Sequence, residues 1–304
     1  MENQTIIQHF QIVAFSHSMK NHLLFFALFL FIYLIGLLGN IIIITCVIID
    51  EHLHTPMYIF LSNLSAVDMI FTSSTIPKLM DILLTGKNSI SFGECFTQMC
   101  FYIFAASMED VLLSLMSYDR YVAICKPLYY HLIMKRRNYI LYLLSIWMAA
   151  SVNALFFTMT IYQLDICHSN KIQQFFCDIK ALNKIACANI KIHLIMFFEI
   201  IILGLIQFII SLSSYIKIIS IVLNIPSTTG RKKAFSTCTS HLTVLGTFYG
   251  AGMCMYLKPP SEHQELDLVF STLYTAVAPM LNPIVYSLRN KEVKVAIKKI
   301  IDLK

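Results

Sequence analysis

Residues 23–49 read LLFFALFLFIYLIGLLGNIIIITCVII, a stretch that contains no Asp, Glu, Lys or Arg. A helix of about 20 mostly apolar residues is long enough to cross the hydrocarbon core of a bilayer. Further apolar runs of similar length lie at 56–77, 95–118, 139–164, 192–216, 234–257 and 268–288. The sequence therefore predicts seven membrane-spanning helices.

The composition of the chain is that of a membrane protein. Of the 304 residues, 57% are hydrophobic and 13% are charged, whereas soluble domains carry about 25% charged residues. The same numbers argue against a disordered chain and a small disulfide-rich scaffold. We expect an all-α membrane protein, a seven-transmembrane helix bundle that forms a single domain over residues 1–304. The predicted spans are about 23–49, 56–83, 95–125, 139–162, 192–223, 234–257 and 268–288, followed by a tail at 289–304.

The basic residues indicate how the chain is oriented in the membrane. Cytoplasmic loops are enriched in Lys and Arg, and an extracellular N-terminus would place 15 of the 23 basic residues on the cytoplasmic side. We therefore predict an extracellular N-terminus. Asn3-Gln4-Thr5 is an acceptor pattern for N-glycosylation, and this orientation places Asn3 outside the cell.

The tail from Arg289 to Lys304 has the pattern of an amphipathic helix. Its apolar residues follow helical spacing at Val293, Ile297, Ile300 and Ile301. Three lysines lie between them, Lys294, Lys298 and Lys299. Basic amphipathic helices bind the surface of a membrane. We predict a short helix on the inner leaflet, and the alternative is a frayed basic tail.

Four of the nine cysteines lie on the predicted outer side, where disulfides persist. They are Cys95, Cys167, Cys177 and Cys187. Four cysteines allow three pairings, and the residues alone do not choose among them. Free thiols are one alternative. A Zn²⁺ site is another, although these cysteines include no close C-x-x-C pair.

Acidic residues at membrane depth are candidate functional residues. An ionisable side chain in hydrocarbon costs at least about 2.5 kcal/mol on insertion scales, and such side chains face the interior of a bundle. Asp68 and Glu109 together would share a proton or bind a cation; a neutral pair that packs helices is the alternative. Asp110 lies about 100° around the helix from Glu109. Like Glu199, it either lines a ligand cavity or bonds a neighbouring helix. Polar residues available as partners for Asp68 and Glu109 are Asn40, Ser65, Ser114, Asn282 and Ser287.

Asp119-Arg120-Tyr121 ends the third predicted span at its cytoplasmic boundary. A salt bridge on the surface contributes little to stability. At the end of an apolar helix, desolvation makes the attraction between Asp119 and Arg120 stronger. An ion pair that can be broken at such a position can act as a two-state element. His241, near the inner end of the sixth span, is either a packed neutral histidine or a polar latch toward Arg120. Pro283 removes a backbone donor and gives the seventh span a hinge.

Residues 116–125, MSYDRYVAIC, closely resemble the motif that ends the third helix of olfactory receptors, a family of rhodopsin-like G-protein-coupled receptors. Further blocks agree in order and spacing: GN at 39–40, LHTPMY at 53–58, LSNLS at 61–65, SY at 214–215, KAFSTCTSHL at 233–242 and PMLNPIVYSLRN at 279–290. The resemblance covers nearly the whole chain. Asp110 is a departure, since the family usually has a small neutral residue or Cys there.

The resemblance implies a receptor domain in the plasma membrane, and not an enzyme. It implies the disulfides Cys95–Cys177 and Cys167–Cys187. It also implies a central site for a cation such as Na⁺, and no other cofactor. The residues of that site are Asp68, Glu109 and Asn282.

The resemblance also implies a switch on the cytoplasmic side. Arg120 is released on activation to meet a heterotrimeric G protein, of the stimulatory type that raises cyclic AMP. The residues assigned to this switch are Asp119, Arg120, Tyr121, Tyr215, His241, Asn282, Pro283 and Tyr286.

A ligand is expected in the outer half of the bundle, between spans three, five, six and seven. Helical spacing turns four residues of span three inward: Tyr102, Ile103, Ala106 and Ser107. With the resemblance, the same reasoning selects Leu203, Tyr249, Gly252, Met253, Tyr256, Thr272 and Thr275. These apolar surfaces with a few hydroxyls suit a small neutral, volatile molecule, an odorant. Tyr102 stands where amine receptors carry an acid, which argues against a biogenic amine.

The principal alternative is a cation-coupled transporter that uses Asp68 and Glu109. Transporters commonly contain duplicated halves, and the sequence shows no internal repeat. An intramembrane metalloprotease is disfavoured because no H-E-x-x-H occurs. The expected partners are therefore an odorant, a G protein and membrane lipid, and not a nucleic acid.

Overall fold

The structure, a computed structural model, describes residues 9–13, 21–167, 169–187, 190–224, 227–256 and 264–302. Asn3, the predicted glycosylation site, lies outside the described residues. Most of the described chain is helical.

Each predicted span coincides with a long helical segment. These segments are α1 His22–Ile49, α2 Pro56–Thr85, α3 Phe92–Cys125, α5 Arg136–Tyr162, α7 Ile190–Glu199 continued by α8 Ile206–Leu223, α9 Thr228–Tyr256, and α10 Gln264–Thr272 continued by α11 Ala278–Arg289. The shorter helices are α4 Tyr130–Ile133, α6 Ile179–Ile185 and α12 Lys291–Asp302, with 3₁₀ turns at Glu51–Leu53 and Pro127–Tyr129.

Six helical segments of the described chain are long and apolar enough to cross a membrane. They are His22–Ile49, Pro56–Thr85, Phe92–Cys125, Arg136–Tyr162, Leu194–Leu223 and Glu265–Ser287. Helix α9 is not among them, because it mixes apolar residues with hydroxyl groups, glycines and His241. A seventh crossing by α9 stays a prediction.

Capping residues set the ends of α2 and α3. Helix α2 begins with Pro56, whose missing N–H costs nothing in a first turn. It ends before Gly86, whose φ of 72° lies in the left-handed region that favours glycine. Ser91 and Glu94 form a capping box: the Glu94 N–H donates to Ser91 Oγ at 3.3 Å, and the Ser91 N–H donates to Glu94 Oε2 at 2.9 Å.

Two of the long segments contain a π-helical turn, which the sequence analysis did not predict. Ile200–Leu205 joins α7 to α8, and Leu273–Val277 joins α10 to α11. A π turn widens the hydrogen-bond spacing from four residues to five. The side chains of α8 and α11 are therefore rotated relative to those of an uninterrupted α-helix.

A small three-stranded sheet packs beside the first turn of α3. Strand β1, His9–Ile12, lies between β2, Ser89–Ser91, which is antiparallel to it, and β3, Lys171–Ile172, which is parallel. Phe10 is buried and its ring lies 5.7 Å from that of Phe92 on α3. The prediction of an all-α chain missed this sheet, because strands of two to four residues are too short to show alternation in a sequence.

The segment between α5 and α7 contains three half-cystines of two disulfide bonds. Cys95 in the first turn of α3 is bonded to Cys177, and Cys167 is bonded to Cys187. These are the pairings that the resemblance implied. The first bond ties this loop to α3, and the second closes the loop on itself. We call it the outer loop after the side of the membrane that the sequence predicts for it.

Polar contacts hold α12 against the C-terminal end of α1 and the N-terminal end of α2. Lys299 Nζ donates to Asp50 Oδ2 at 3.1 Å, and the Tyr58 hydroxyl donates to Glu292 Oε2 at 2.8 Å. Hydrogen bonds from His52 and Lys299 lower the pKa of Asp50 to about 2. The tail is therefore fixed to two of the long helices by charged groups.

The apolar face of α12 is turned toward the bundle. Val293 and Ala296 are buried, and Val295 is exposed. A helix is present where the amphipathic pattern predicted one, and its position on the inner leaflet stays a prediction.

Gly39 allows α11 to approach α1 closely. A Cβ atom at Gly39 would lie 2.9 Å from Cγ and 3.0 Å from Cβ of Pro283. At Gly36, one turn earlier, a Cβ atom would lie 3.6 Å from Met280, which is an ordinary contact. The packing of α1 on α11 therefore requires glycine at 39 but not at 36.

Gly39→Ala is expected to destabilise the fold by about 1–3 kcal/mol, because the added methyl group presses on a rigid proline ring. Gly36→Ala is the matched control on the same helix and should change stability little. Thermal unfolding of the protein in detergent measures both variants. Equal unfolding temperatures for the two would contradict this account of the contact.

Candidate functional site

The carboxylates of Asp68 and Glu109 share one buried donor. Nδ2 of Asn282 donates to Asp68 at 3.1 Å and 3.0 Å from its two oxygens, and to Glu109 Oε1 at 3.3 Å. Asp68 on α2 and Glu109 on α3 are fully buried, and Asn282 on α11 is nearly so. The three predicted ion-site residues therefore lie together and connect three helices.

The other polar residues considered as partners for these carboxylates are engaged elsewhere. Asn40 and Ser287 donate to backbone oxygens, and Ser114 bonds to α8. Ser65 is buried, but within the described chain no hydrogen bond joins it to either carboxylate. The carboxylates thus depend on Asn282.

Unpaired oxygen atoms make this cluster suitable for a hard cation. Glu109 Oε2 and Asn282 Oδ1 are buried and accept no hydrogen bond from the described residues. Hard cations take carboxylate and amide oxygens as ligands. The residues that the structure describes contain no group of three or more His, Cys, Asp or Glu that could hold a metal ion. Asn282 would therefore complete such a site.

Asp110 contacts a different helix from its neighbour Glu109. The Tyr249 hydroxyl on α9 donates to Asp110 Oδ1 at 2.7 Å, and both side chains are buried. One turn further along α3, Ser114 Oγ lies 3.2 Å from Ser211 Oγ on α8. Of the two interpretations of Asp110, the structure supports a bond to a neighbouring helix.

Tyr102 on α3 lies at the centre of an aromatic cluster. Its hydroxyl oxygen lies 2.6 Å from that of Tyr256 on α9. Its ring centroid lies 5.2 Å from Phe71 on α2 and 4.8 Å from Phe176 in the outer loop. Tyr274, in the second π turn, lies 5.5 Å from Phe71. The cluster therefore brings together α2, α3, α9 and the outer loop.

The remaining predicted ligand residues lie on the helices around this cluster. Ile103 and Ser107 are buried, and Ala106, Leu203 and Met253 are half-buried. Thr272 and Thr275 donate their hydroxyl hydrogens to carbonyls of their own helix. A Cβ atom at Gly252 would lie 3.3 Å from the Tyr274 ring, so Gly252 permits that close contact.

The side-chain amide of Asn153 connects Glu199 to two other helices. Asn153 Nδ2 on α5 donates to Glu199 Oε1 at 3.2 Å and to Ser107 Oγ on α3 at 3.0 Å. Glu199 ends α7, so the contact connects α3, α5 and α7. Sequence reasoning did not assign Asn153, because one amide in an apolar run has no distinctive pattern.

Asp178 is a buried carboxyl group in the outer loop that the sequence analysis did not assign to the site. Burial raises the pKa of Asp178 to about 6, and the charge of Lys180 opposes the rise. Lys180 Nζ donates to the carbonyl of Met255 on α9 at 3.0 Å. Asp178 directly follows Cys177, which is tied to α3, and this position could have located it.

The C-terminal end of α3, which is predicted to be its inner end, carries the predicted ion pair. Arg120 Nη2 lies 3.5 Å from Asp119 Oδ2, and the Asp119 side chain is fully buried. The Tyr130 hydroxyl on α4 donates to Asp119 Oδ1 at 3.0 Å. Burial and the charge of Asp119 raise the pKa of Tyr130. Tyr130 is thus a third member of this pair that the sequence analysis missed.

His241 bonds to Tyr215 and not to Arg120. The Tyr215 hydroxyl oxygen lies 2.7 Å from His241 Nδ1, and both residues are buried. His241 Nε2, Arg120 Nε and Tyr286 Oη are buried and form no hydrogen bond with the described residues. The partner of His241 in this structure is Tyr215 on α8, and a latch from His241 toward Arg120 stays a prediction.

Tyr121 and Pro283, also assigned to the switch, make contacts of other kinds. The Tyr121 ring centroid lies 5.8 Å from Lys126 Nζ and 5.5 Å from Lys217 Nζ, at cation–π distance. Pro283 is the residue that packs on Gly39.

The raised pKa of Asp178 predicts a pH-dependent stability. Because the folded pKa of about 6 exceeds the ordinary value of 3.8, the fold is stabilised below pH 4 and loses this stability as pH rises through 6. The shift corresponds to about 3 kcal/mol. Asp178→Asn should therefore reduce the pH dependence of thermal unfolding between pH 4.5 and 7.5. The control is Asp165→Asn, which removes an exposed carboxyl group of the same loop. Equal pH profiles of thermal unfolding for the two variants would contradict the prediction.

Comparison with known proteins identifies the family. A family model described as olfactory receptor matches residues 29–304. The chain is 44% identical over 301 residues to olfactory receptor 13F1 of Homo sapiens, covering 98% of this chain and 94% of that protein. It is 41% identical over 300 residues to olfactory receptor 1E16 of Mus musculus, covering 98% of this chain and 96% of that protein. The chain therefore belongs to the olfactory receptor family.

Proposed function

We propose that this chain is an odorant receptor of the plasma membrane that binds a small neutral, volatile molecule and activates a heterotrimeric G protein. Membership of the family supports a receptor and not an enzyme. The observation that carries the proposal is one face of α9, which bonds to other helices at three levels. Its contacts are Tyr256 with Tyr102, Tyr249 with Asp110, and His241 with Tyr215.

The aromatic cluster around Tyr102 is the proposed ligand site. Ring faces with a few hydroxyl groups suit a small organic molecule. A molecule that inserts between Tyr102 and Tyr256 replaces their mutual hydrogen bond and changes the spacing of α3 and α9. The predicted contacts on α3, α9, α10 and the two π turns belong to this proposal.

Helix α9 is the proposed carrier of the signal through the bundle. Tyr256, Tyr249 and His241 are seven and eight residues apart, which places them on one face of a helix. A displacement of that face therefore acts on all three contacts. A ligand that binds one arrangement better than the other shifts the population toward it.

The inner end of α3 is the proposed output. When α9 moves, the contact of His241 with Tyr215 changes, and Arg120 leaves Asp119 to meet the G protein. Tyr286 rearranges beside them. We propose the stimulatory type of G protein, which raises cyclic AMP. Arg120 Nε is buried and has no hydrogen-bond partner among the residues that the structure describes, which supports a group poised to change contacts.

The proposed topology has seven membrane crossings and an extracellular N-terminus. The distribution of basic residues supports this orientation, in which Asn3 is outside and glycosylated. The inner leaflet then lies beside α12, whose exposed lysines support contact with membrane lipid.

Asp68, Glu109 and Asn282 are the residues that would hold a sodium ion. Such an ion would supply a positive charge that offsets the buried carboxylates. The alternative of a cation-coupled transporter finds no support in the comparisons, since the relatives are olfactory receptors.

Arg120→Ala tests the proposed output. Cells that express the chain with an N-terminal tag are challenged with a panel of small neutral volatiles, and cyclic AMP is measured. The maximal cyclic AMP response of the variant should be about tenfold or more below that of the wild type, because the variant has neither the buried ion pair nor the arginine that is released from it. Arg137→Ala, an exposed arginine on the same side, is the control. A full response from Arg120→Ala, at equal tag staining on intact cells, would contradict the proposal.

The bond between Asp110 and Tyr249 is expected to stabilise the resting receptor. Hydrogen bonds between membrane helices contribute about 0.6–2 kcal/mol, so Asp110→Ala and Tyr249→Phe should each raise basal cyclic AMP about threefold or more. The double variant should match the single ones, because all remove the same bond. Asp110→Asn keeps an acceptor and should stay near wild type. Additive effects in the double variant would show that the bond is not the cause.

A further inference from the structure

Glu199 is a carboxyl group at membrane depth without a positively charged partner. It is the last residue of α7 and lies inside the apolar segment Leu194–Leu223. No Lys, Arg or His of the described chain forms an ion pair with it. The amide of Asn153 donates to its Oε1 at 3.2 Å, and its Oε2 accepts no hydrogen bond from the residues that the structure describes. One oxygen of this carboxyl group therefore lacks a partner.

Glu199 lies beside the aromatic cluster around Tyr102. Its charge acts on the hydroxyl groups of Tyr102 and Tyr256, and the charge of Asp178 acts on Glu199. The Glu199 side chain is half-buried, so it is not fully enclosed by packed atoms. A carboxyl group that faces hydrocarbon is costly, and such groups face the interior of a bundle. The accessible side of Glu199 is therefore the side of the proposed ligand site.

The π turn Ile200–Leu205 begins directly after Glu199 and includes Leu203, one of the predicted ligand residues. Glu199 and Leu203 are four positions apart, about one helical turn, so they share a face of the segment. Single π turns inside helices are frequent at functional sites. The carboxyl group thus lies at the end of a turn that already contains a predicted ligand contact.

Every donor hydrogen of the polar group around Glu199 is already used. Nδ2 of Asn153 donates to Ser107 Oγ at 3.0 Å and to Glu199 Oε1, which accounts for both N–H bonds of the amide. Ser107 Oγ donates to the carbonyl of Ile103 at 2.8 Å. A carboxylate has only acceptor atoms. The group therefore offers a free acceptor and has no donor left to offer.

We propose that Glu199 sets the chemical preference of the odorant site, and that it favours a molecule whose hydroxyl group donates to Glu199 Oε2. A hydroxyl is a neutral group that donates a hydrogen bond, whereas an aldehyde or an ether only accepts one. A hydrogen bond to a charged group is among the stronger ones, and a carbonyl placed against the carboxylate leaves both unpaired. This inference rests on the proposed odorant site and names the class of its ligand, an alcohol.

Stabilisation of the protein by ligands tests this preference. The full chain in phosphatidylcholine nanodiscs is titrated with alcohols, aldehydes, methyl ethers and primary amines built on the same linear and cyclic carbon skeletons. The rise in unfolding temperature gives an apparent Kd for each compound. The best alcohol should bind about tenfold or more tightly than its matched aldehyde and ether, because one hydrogen bond to a charged group separates them.

Glu199→Gln is the informative variant. It keeps an oxygen for the bond from Asn153 and places an amide donor where the wild type has Oε2. The preference for alcohol over aldehyde should fall about tenfold or more, because the amide donates to the aldehyde oxygen. Phe198→Leu changes the neighbouring side chain, which is exposed on the same helix, and this control should keep the preference of the wild type.

Three results would overturn the proposal. They are an alcohol series that binds no better than the aldehydes or does not bind, an amine that binds more tightly than its matched alcohol, and an unchanged preference in Glu199→Gln. Binding is measured without cyclic AMP, so the two proposals fail in different ways. Binding with the expected preference but without a cyclic AMP response would contradict the proposed function and leave the preference intact. A cyclic AMP response to aldehydes and alcohols alike would do the reverse.

Discussion

A polar group in hydrocarbon must find its partner inside the protein, and this constraint organises the bundle. Helix α3 carries several of the buried polar groups, and three of them bond to three different neighbouring helices. Glu109 bonds to α11, Asp110 to α9 and Ser114 to α8. Because no water is available to replace these partners, the bonds decide how the helices pack around α3.

The polar contacts of α9 connect the proposed functional sites along the length of the bundle. The proposed odorant site and the proposed output site need a physical connection, and α9 provides one because its bonds lie on one face at three levels. The aromatic cluster lies toward the outer disulfide, since Phe176 beside Cys177 packs on Tyr102. Asp119 and Arg120 lie at the opposite end of α3. The disulfide therefore fixes one end of α3, and the proposed function requires the other end to change partners.

Sequence reasoning predicted the features that depend on long patterns or on a rare residue in an apolar run. The spans follow from apolar length, and the importance of Asp68 and Glu109 follows from the cost of burying an acid. The contacts that were missed depend on tertiary placement. Tyr130 reaches Asp119 from a short helix, and Asn153 reaches Glu199 from another span. The three short strands and the two π turns have no periodicity that a single sequence displays.

Glu109 and Asp110 show how one step along a helix separates two roles. Neighbouring residues point about 100° apart, so Glu109 meets Asn282 on α11 while Asp110 meets Tyr249 on α9. Each acid is a separate constraint on a separate helix. An olfactory receptor with a small neutral residue at 110 would keep the first constraint and lose the second. The acid at 110 therefore gives this chain a bond between α3 and α9 that a small neutral residue would not form.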